Sequence, residues 1–464
     1  MYRKKNNKPK IVDFDLIVVG TGAGGGVAAH MAAARGKKVA VIEQESIGGE
    51  CPNYGCVPTK AILQSAKMYN TVQKVSDFGI KVGKTEVDLG AIHSWKNQAV
   101  KNTGTDEGRQ AYERSGITVI RGHAHFLDPW MLSVGKRRYS AHNFLVATGS
   151  HDVVPPIHGL KECDYIGYRQ ALELTTMPKK LFIIGGGAIG SEFTHYFSSF
   201  GVEVHLADFM PHLLGNEDPE VGELVEAIFE QEGVNVHTET RVIKIVNKGK
   251  QHVVSFEKLG KVHSVTVDKV MLAAGKSPNV DLGLENAGVH YDKKRGIHVE
   301  RTMQTTAPHI YAAGDVTGRY MFTHVASYES RIAGHNMFSP LKHMADYRAV
   351  PRAIYVEPEV AGVGATEAEL KKKGKKYQSA AVPISVIGRS NVSQQDTGFV
   401  KILANKKGVI LGASIVAPRA GEMIHELALA VQWRMKASKI DYTMHAYPTW
   451  SQAVRICANK ISCR

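Results

Sequence analysis

A glycine-rich turn between a short apolar strand and an alanine-rich helix constrains the fold of this chain more than any other feature. Residues 15–19 form an apolar run typical of a buried strand, and they lead directly into residues 20–25 (GTGAGG). A second strand at 38–42 ends at Glu43, whose carboxylate can bind the ribose hydroxyls of an adenine dinucleotide. This order of strand, glycine turn, helix, strand and acid predicts a dinucleotide-binding βαβ unit.

The same arrangement occurs a second time further along the chain. A strand at 181–184 precedes residues 185–190 (GGGAIG), and a strand at 202–206 leads to Asp208. In both copies the acid follows the first glycine by 23 residues (20 to 43 and 185 to 208), close to the roughly twenty that βαβ geometry requires. One copy alone would also suit an ordinary α/β sheet. Two copies with matched acids predict an α/β protein with two Rossmann-like dinucleotide-binding domains.

Two of the five cysteines, Cys51 and Cys56, lie close together just after the first copy, within residues 48–60 (GGECPNYGCVPTK). A structural zinc site would need a C-x2-C pair and further ligands. A plant-type iron–sulfur site would need a third cysteine at position 59, where Thr59 stands. The spacing therefore disfavours a metal site, and none is predicted.

A regular helix would separate these two cysteines by a rise of about 7.5 Å, which is too far for a disulfide. Pro52 and Gly55 can break that regularity, so the pair is expected to close across a distorted first turn. A helix N-terminus also favours a thiolate and lowers its pKa, which would make one sulfur a good nucleophile. We therefore expect a redox-active disulfide. The alternative is a pair of unreactive buried cysteines.

The motif at 48–60 resembles GGxCxxxGCxPTK of the pyridine nucleotide-disulfide oxidoreductase family, which includes dihydrolipoamide dehydrogenase, glutathione reductase and mercuric reductase. The resemblance runs from about residue 13 to residue 455. Further landmarks follow in the family's order at residues 147–150 (ATGS), 275–279 (GKSPN), 313–315 (AGD) and 350–367.

This resemblance implies that the first glycine turn binds FAD and the second a nicotinamide. Cys56 would lie against the flavin, Cys51 would meet the substrate, and Lys60 would lie by flavin N5, paired with Glu192. Asp315 would reach the ribityl and phosphate part of the flavin. The implied cofactor-binding residues are Gly20, Gly22, Gly25, Glu43, Lys60, Thr148, Gly149, Gly185, Gly187, Gly190, Asp208, Gly275, Gly314 and Asp315.

Asp208 favours NAD over NADP, because a carboxylate repels a 2′-phosphate and no arginine follows it. His212, four residues on, could partly accommodate a phosphate. The proposed chemistry is hydride transfer between the nicotinamide and FAD, with electrons passing between FAD and the Cys51–Cys56 disulfide and then to or from a substrate disulfide or dithiol.

The C-terminal segment departs from the family pattern. Thiol-using members carry HPTxxE, whose histidine serves the partner subunit's site, but here Tyr447 and Gln452 stand at the histidine and glutamate positions. A phenol is a poor proton acceptor near neutrality. Tyrosine at this position resembles mercuric reductases, and Cys457 and Cys463 lie downstream, where that group keeps a metal-transferring cysteine pair.

Three functions therefore remain open at this point. The first is a dihydrolipoamide dehydrogenase-like disulfide oxidoreductase, with Cys51, Cys56, Lys60, Glu192 and Tyr447 as its catalytic residues. The second is reduction of mercuric or another soft metal ion. The third is a redox-sensing flavoprotein with impaired disulfide turnover. His445 could also replace the missing base, although a lone histidine in a turn is more often structural.

The resemblance divides the chain into a basic tail (1–10), an FAD-binding domain (11–150), an NAD(P)-binding domain (151–275), a second FAD-binding or central part (276–342) and a C-terminal α+β dimerisation domain (343–464). A homodimer is implied, because the C-terminal loop would serve the partner's site. The partner expected beyond it is a small-molecule or small-protein disulfide or dithiol, or a soft metal ion.

The composition bears on location and on further partners. Lys and Arg (58) exceed Asp and Glu (44) by 14, but ten of the basic residues lie in a tail and at a helix end near 371–376, so no nucleic-acid partner is predicted. Five cysteines do not resemble a secreted disulfide framework, and Cys163 is interpreted as structural. We find no export signal and no membrane span, so a cytoplasmic location is expected.

Overall fold

The computed structural model describes residues 9–463, so most of the predicted basic tail lies outside the described residues. The chain forms two compact units. The first contains residues through Ala61, His93–Val153 and Gly275–Asp346. The second contains Ile62–Ile92, Val154–Ala274 and Tyr347 to the C-terminus. Among the described residues, no helix is long and apolar enough to cross a membrane.

The strands are, in chain order, β1 (Phe14–Val19), β2 (Val39–Glu43), β3 (Thr118–Arg121), β4 (Ala124–Asp128), β5 (Met131–Val134), β6 (Arg137–Val146), β7 (Ser150–Asp152), β8 (Lys180–Ile184), β9 (Glu203–Ala207), β10 (Asn235–His237), β11 (Thr240–Lys248), β12 (Gln251–Lys258), β13 (Lys261–Val267), β14 (Lys269–Leu272), β15 (Lys276–Pro278), β16 (Tyr291–Asp292), β17 (Gly296–Ile297), β18 (Ile310–Ala312), β19 (Pro351–Ile354), β20 (Glu359–Gly364), β21 (Gln378–Pro383), β22 (Phe399–Ala404) and β23 (Ile410–Ala417).

The α-helices are α1 (Ala23–Ala33), α2 (Glu50–Asn53), α3 (Cys56–Lys74), α4 (Leu89–Asn102), α5 (Gly108–Arg114), α6 (Tyr168–Ala171), α7 (Ala188–Ser199), α8 (Pro219–Gln231), α9 (Thr323–Phe338), α10 (Glu367–Lys372), α11 (Gly388–Ser393), α12 (Ala420–Gln432), α13 (Ala437–Asp441) and α14 (Gln452–Ser462).

The first unit is built on a parallel sheet in which β3, β2, β1 and β6 are neighbours and β18 pairs with β6. Every residue of β2 is buried, as expected for a strand covered on both faces. Strands β5 and β4 extend this sheet in antiparallel fashion. Helices α1 and α9 pack closely, because Gly334 leaves room for the backbone of Ala28. This parallel core is the first predicted Rossmann-like fold.

The second unit contains another parallel sheet, in the order β10, β9, β8 and β14, and an antiparallel meander of β11, β12 and β13. Helix α7 follows β8 directly, as the second glycine motif predicts. The two sheets share a buried apolar cluster that includes Phe182, Val254 and Phe256. The strands lie within one or two residues of their predicted positions.

The C-terminal part of the second unit is a five-stranded antiparallel sheet in the order β19, β20, β23, β22 and β21. Alternate residues of these strands pack with α12 and α14 into one buried apolar cluster. Helix α10 begins after Thr366, whose hydroxyl accepts a hydrogen bond from the Glu369 amide at 3.3 Å. The α/β class with two Rossmann-like domains and a C-terminal α+β domain is thus confirmed.

Candidate functional site

A break between two helices brings Cys51 and Cys56 together. Gly48 and Gly49 adopt φ of 93° and 71°, a backbone that other residues rarely adopt, just before α2 begins. The amides of residues 54 and 55 both donate to the Glu50 carbonyl at 2.8 Å, which ends α2 after one turn. Cys51 therefore lies in α2 and Cys56 starts α3. The expected distortion is present, and both cysteines are free thiols.

The surroundings of the pair decide which thiol keeps its proton. A hydrogen bond to Cys56, burial and the charge of Cys56 raise the pKa of the Cys51 thiol above its usual value, although a hydrogen bond to Thr323 lowers it in part. The expected lowering therefore does not apply to Cys51. Because the Cys51 thiol retains its proton against Cys56, negative charge on the pair is favoured at Cys56, at the N-terminus of α3.

Thr323 adds a second helix N-terminus to this group. It is the first residue of α9, and its hydroxyl lies 3.5 Å from the sulfur of Cys56. The first turns of α3 and α9 therefore both face the thiol pair. Free amides at these helix ends stabilise a thiolate.

A cavity of about 570 Å³ lies next to Cys51. Its walls are formed by the first glycine turn, the part of α1 that follows the turn, and the segment around Cys51. The lining residues are Thr21, Gly22, Ala23, Gly26, Val27, His30, Met31, Gly48, Cys51, Pro52 and Thr323. The cavity thus connects a predicted phosphate-binding turn with the more buried of the two thiols.

The first glycine turn has the close contacts that its sequence predicts. A Cβ at Gly20, which has φ of 100°, would overlap the Ala147 carbonyl, and a Cβ at Gly25 would overlap the Gly20 carbonyl. A Cβ at Gly49 would lie 2.6 Å from the Gly22 Cα, so the turn and the segment before α2 approach closely. The turn therefore leaves the first amides of α1 open, as a dinucleotide pyrophosphate requires.

Glu43 lies at the end of β2 and supports this turn. Its Oε2 accepts hydrogen bonds from the Thr21 amide at 3.0 Å and the Thr21 hydroxyl at 2.6 Å. Its Oε1 accepts from the Glu45 amide at 2.9 Å. The carboxylate is buried. Burial of the Tyr112 phenol and the charge of Glu43 raise the pKa of Tyr112 to about 12. Glu43 is therefore held in a fixed orientation beside the turn.

The second glycine turn repeats this geometry within the second unit. A Cβ at Gly190 would overlap the Gly185 carbonyl, and Gly185 has φ of 109°. Asp208 accepts a hydrogen bond from the Gly186 amide at 2.6 Å and one from the Met210 amide at 2.8 Å. A Cβ at Gly187 would meet nothing within 4 Å, so this turn faces open space.

The three predicted family landmarks of the first unit meet at one place. Residues 150–152 pair with residues 276–278, and the Thr148 hydroxyl donates to the Asn279 carbonyl at 2.7 Å. Gly149, Gly275 and Gly314 adopt φ of 71°, 102° and 81°. Sharp backbone turns that need glycine therefore shape this region.

Asp315 follows the last of these glycines. Its Oδ2 accepts a hydrogen bond from the Ser150 hydroxyl at 2.6 Å. Burial raises the pKa of the Asp315 carboxyl, and the interactions with Ser150 and Lys276 oppose that rise. A partly buried carboxyl of this kind is suited to hydrogen bonding with hydroxyl groups of a bound ligand.

Lys60 and Glu192 belong to different units. Lys60 is the fifth residue of α3, in the first unit. Glu192 is buried on α7, in the second unit, and its Oε1 accepts a hydrogen bond from the Tyr355 amide at 3.0 Å. Their pairing beside a flavin remains a prediction.

The C-terminal segment presents Tyr447 to solvent, with 75% of its surface exposed. Its hydroxyl lies near Gly388, where an added Cβ would be 2.7 Å away. His445 instead has an acceptor at each ring nitrogen, with the Thr443 carbonyl and the Glu426 Oε1 both at 2.9 Å. Both nitrogens are therefore occupied, which disfavours His445 as a free base. Gln452 begins α14.

The remaining cysteines do not form a second thiol pair. Cys457 is buried in the C-terminal core and donates to the Ala380 carbonyl at 3.3 Å, and burial raises its pKa to about 12. Cys463 is exposed. Cys163 is buried 3.5 Å from the Nδ1 of His252, in agreement with a structural role. Across residues 9–463, no cluster of three or more His, Cys, Asp or Glu could hold a metal ion.

Sequence reasoning missed Thr323 as a neighbour of the thiol pair, and it missed His30 and Met31 as residues that line the cavity beside Cys51. Thr323 lies 267 residues from Cys56, and no local motif indicates such a contact. His30 had a usable signal, because it lies on the helix that the first glycine turn opens, seven residues after Ala23. Residues seven apart occupy the same face of a helix.

The comparisons with known proteins identify the family. The model of the pyridine nucleotide-disulphide oxidoreductase family matches residues 14–330, and that of its dimerisation domain matches residues 350–457. A parallel dinucleotide fold that also holds a thiol pair defines a flavoprotein disulfide oxidoreductase. The chain belongs to the pyridine nucleotide-disulfide oxidoreductase family.

Two curated relatives represent different activities. Dihydrolipoyl dehydrogenase of Thermus scotoductus is 34% identical over 455 residues, covering 97% of each chain. Mercuric reductase of Staphylococcus aureus is 32% identical over 460 residues, covering 97% of this chain and 84% of the relative. Both the disulfide and the soft-metal interpretations thus have a relative at similar identity.

The solved structures match over nearly the whole chain. The HOCl-induced flavoprotein disulfide reductase RclA of Escherichia coli has a TM-score of 0.85 at 27% identity, covering 96% of this chain and 99% of that one. Its Cu(II) complex gives a TM-score of 0.86 at 26% identity, covering 97% and 100%. The protein is therefore an FAD-binding, NAD(P)H-dependent disulfide oxidoreductase.

Proposed function

We propose that this protein passes electrons from NADH, through FAD, to a Cys51–Cys56 disulfide and then to a substrate disulfide, or in the reverse direction. The arrangement that carries this proposal is the thiol pair at the junction of α2 and α3, beside a cavity that begins at the first glycine turn. FAD, when bound, supplies the two-electron chemistry that links a hydride donor to a dithiol.

The roles of the two thiols follow from their surroundings. Cys51 lines the cavity, and we assign it the exchange with substrate. Cys56 begins α3 and faces Thr323, so its thiolate is stabilised by helix amides. Attack by Cys51 on a substrate disulfide gives a mixed disulfide, which Cys56 then resolves.

The same proposal assigns FAD to the first glycine turn and the nicotinamide to the second. The open space at Gly187 and the fixed carboxylate of Asp208 support binding of a dinucleotide there. We propose NAD rather than NADP. The Nδ1 of His212 lies 2.9 Å from the Leu213 carbonyl oxygen, so this nitrogen is already engaged and does not serve a 2′-phosphate. Asp208 would repel a 2′-phosphate.

We also propose a homodimer. The dimerisation-domain match and the exposed apolar residues of the C-terminal part support it. Leu429 on α12 exposes 60% of its surface, Trp433, directly after the helix, exposes 73%, and Met444 exposes 97%. Apolar side chains at such exposure are typical of an interface.

A second candidate function is reduction of a soft metal ion. The thioether of Met31 lines the cavity together with Cys51, and sulfur ligands prefer soft metals. The burial of Cys457 disfavours a metal-transferring role for Cys457 and Cys463.

An anaerobic titration with NADH tests the main proposal. We expect a long-wavelength thiolate-to-flavin absorbance band to appear only on reduction of the wild-type protein. In Cys51→Ser the band should already be present before reduction, because Cys56 has lost its disulfide partner. Cys463→Ser is the matched control, because Cys463 is exposed and lies far along the chain from the pair. If wild type gave no such band and Cys51→Ser behaved identically, the disulfide mechanism would be wrong.

Turnover with lipoamide, glutathione disulfide and mercuric ion then ranks the two candidate functions. NADH oxidation without any of these three oxidants would indicate a redox sensor.

A further inference from the structure

His30 lines the cavity beside Cys51, and none of the cofactor-binding roles described above is assigned to it. His30 lies eight residues after Gly22, so it is about 12 Å further along the axis of α1 than the turn that binds phosphate. Both residues line the same cavity, and Cys51 lines it as well. The imidazole and the Cys51 thiol therefore line one cavity.

The hydrogen bonding of His30 fixes which nitrogen is free to react. Its Nδ1 lies 2.9 Å from the Gly26 carbonyl oxygen, which can only accept a hydrogen bond. The Nδ1 of the neutral ring therefore carries the hydrogen, and Nε2 holds a lone pair. The ring lies against Tyr112, with 4.7 Å between ring centres, and the residue is exposed. Nε2 is thus oriented as a proton acceptor that solvent and substrate can reach.

Cys51 requires such an acceptor. Its thiol retains its proton against Cys56, whereas only the thiolate attacks a disulfide. A phenol at position 447 is a poor base near neutrality, and both nitrogens of His445 already face acceptors. Among the described residues that line the cavity, His30 is the one imidazole.

We propose that His30 is the proton acceptor and donor for thiol–disulfide exchange at Cys51. This inference rests on the proposed disulfide function. In the first step Nε2 takes the Cys51 proton, and the Cys51 sulfur attacks a substrate disulfide. One substrate sulfur joins Cys51 in a mixed disulfide. The other leaves as a thiolate and receives the proton from the imidazolium.

The second step forms the protein disulfide. The Cys56 thiolate attacks the Cys51 sulfur, which forms the Cys51–Cys56 disulfide. The second substrate sulfur leaves as a thiolate and takes a proton from solvent. One substrate disulfide, the Cys51 thiol, the Cys56 thiolate and one proton from water thus become two substrate thiols and one protein disulfide.

Alkylation by iodoacetamide tests this role without knowledge of the natural substrate. The NADH-reduced holoenzyme is treated anaerobically at neutral pH, and labelling of each cysteine is followed by mass spectrometry. We expect His30→Gln to slow labelling of Cys51 by about tenfold or more, because general-base assistance is lost. Labelling of the exposed Cys463 is the internal control, and His290→Gln, an exposed histidine outside the cavity lining, is the matched variant.

Chemical rescue separates a proton-transfer role from a structural one. In His30→Ala, added imidazole can enter the enlarged cavity, and it should restore the labelling rate of Cys51. An unchanged rate in His30→Gln, or a loss that imidazole does not restore, would overturn the proposal. The proposed function fails by a different result, namely equal NADH titrations of wild type and Cys51→Ser.

Discussion

The two glycine turns place a histidine at the same position but give it opposite environments. His30 and His195 each follow the first glycine of their motif by ten residues (20 to 30 and 185 to 195). His30 is exposed and its Nδ1 has a partner, whereas His195 is 2% exposed and its Nδ1 has no hydrogen-bond partner among the described residues. A duplicated scaffold thus exposes one imidazole at the cavity beside Cys51 and buries the other.

The turns themselves differ in a related way. The Thr21 hydroxyl donates to Glu43 and accepts from the Gly48 amide at 3.1 Å, so the first turn is linked to the segment that carries Cys51. The corresponding residue of the second turn is Gly186, which has no side chain, and Gly187 faces open space. We infer that the first turn suits a cofactor that stays bound, and the second a dinucleotide that exchanges.

Two matched glycine substitutions should have the largest effects and test whether the two turns bind different dinucleotides. In Gly25→Ala the new Cβ overlaps the Gly20 carbonyl, so the first turn must open and we expect the purified protein to contain little flavin. In Gly190→Ala we expect flavin to remain, with kcat/KM for NADH about a hundredfold lower, because the nucleotide is misplaced. Flavin absorbance and steady-state kinetics measure the two effects.

Gly83→Ala is the control for those variants, since a Cβ there meets nothing within 4 Å and its backbone is not in the left-handed region. Loss of flavin from Gly190→Ala to the same extent as from Gly25→Ala would show that the two turns do not serve separate dinucleotides.

Neutralising the matched acids, Asp208 and Glu43, should give smaller effects that also distinguish the two turns. Asp208→Asn removes the charge beside the second turn but keeps an oxygen for the Gly186 amide. We expect the preference for NADH over NADPH, measured as a ratio of kcat/KM, to fall by about tenfold, which corresponds to roughly 1.4 kcal/mol. Glu43→Gln is the counterpart in the first turn and should leave that ratio unchanged. A shift in the ratio with Glu43→Gln instead would contradict the assignment of the turns.

The fold was predictable because its signals are local. The spacing from Gly20 to Glu43 and from Gly185 to Asp208 defines two βαβ units, and steric overlap at Gly25 and Gly190 explains the glycines. The position of Thr323 beside Cys56 was not predictable, since it depends on packing between distant segments. Which of the two sulfurs has the lowered pKa was not predictable from the helix N-terminus alone, because the raised pKa of Cys51 depends on its contact with Cys56.

The smallest effect tests the buried histidine of the second turn. Burial and the charges of Lys67 and Lys74 lower the pKa of His195 from 6.5 to about 4. The unfolded chain therefore binds a proton that the folded chain does not, and stability falls as pH drops from 6.5 towards 4. At about pH 6 this lowers the free energy of unfolding by roughly 0.8 kcal/mol relative to its value at high pH. The pH dependence of the urea midpoint should be weaker in His195→Gln than in wild type, and His30→Gln, with its exposed ring, should leave it unchanged. Equal pH dependence in wild type and His195→Gln would contradict a neutral buried imidazole.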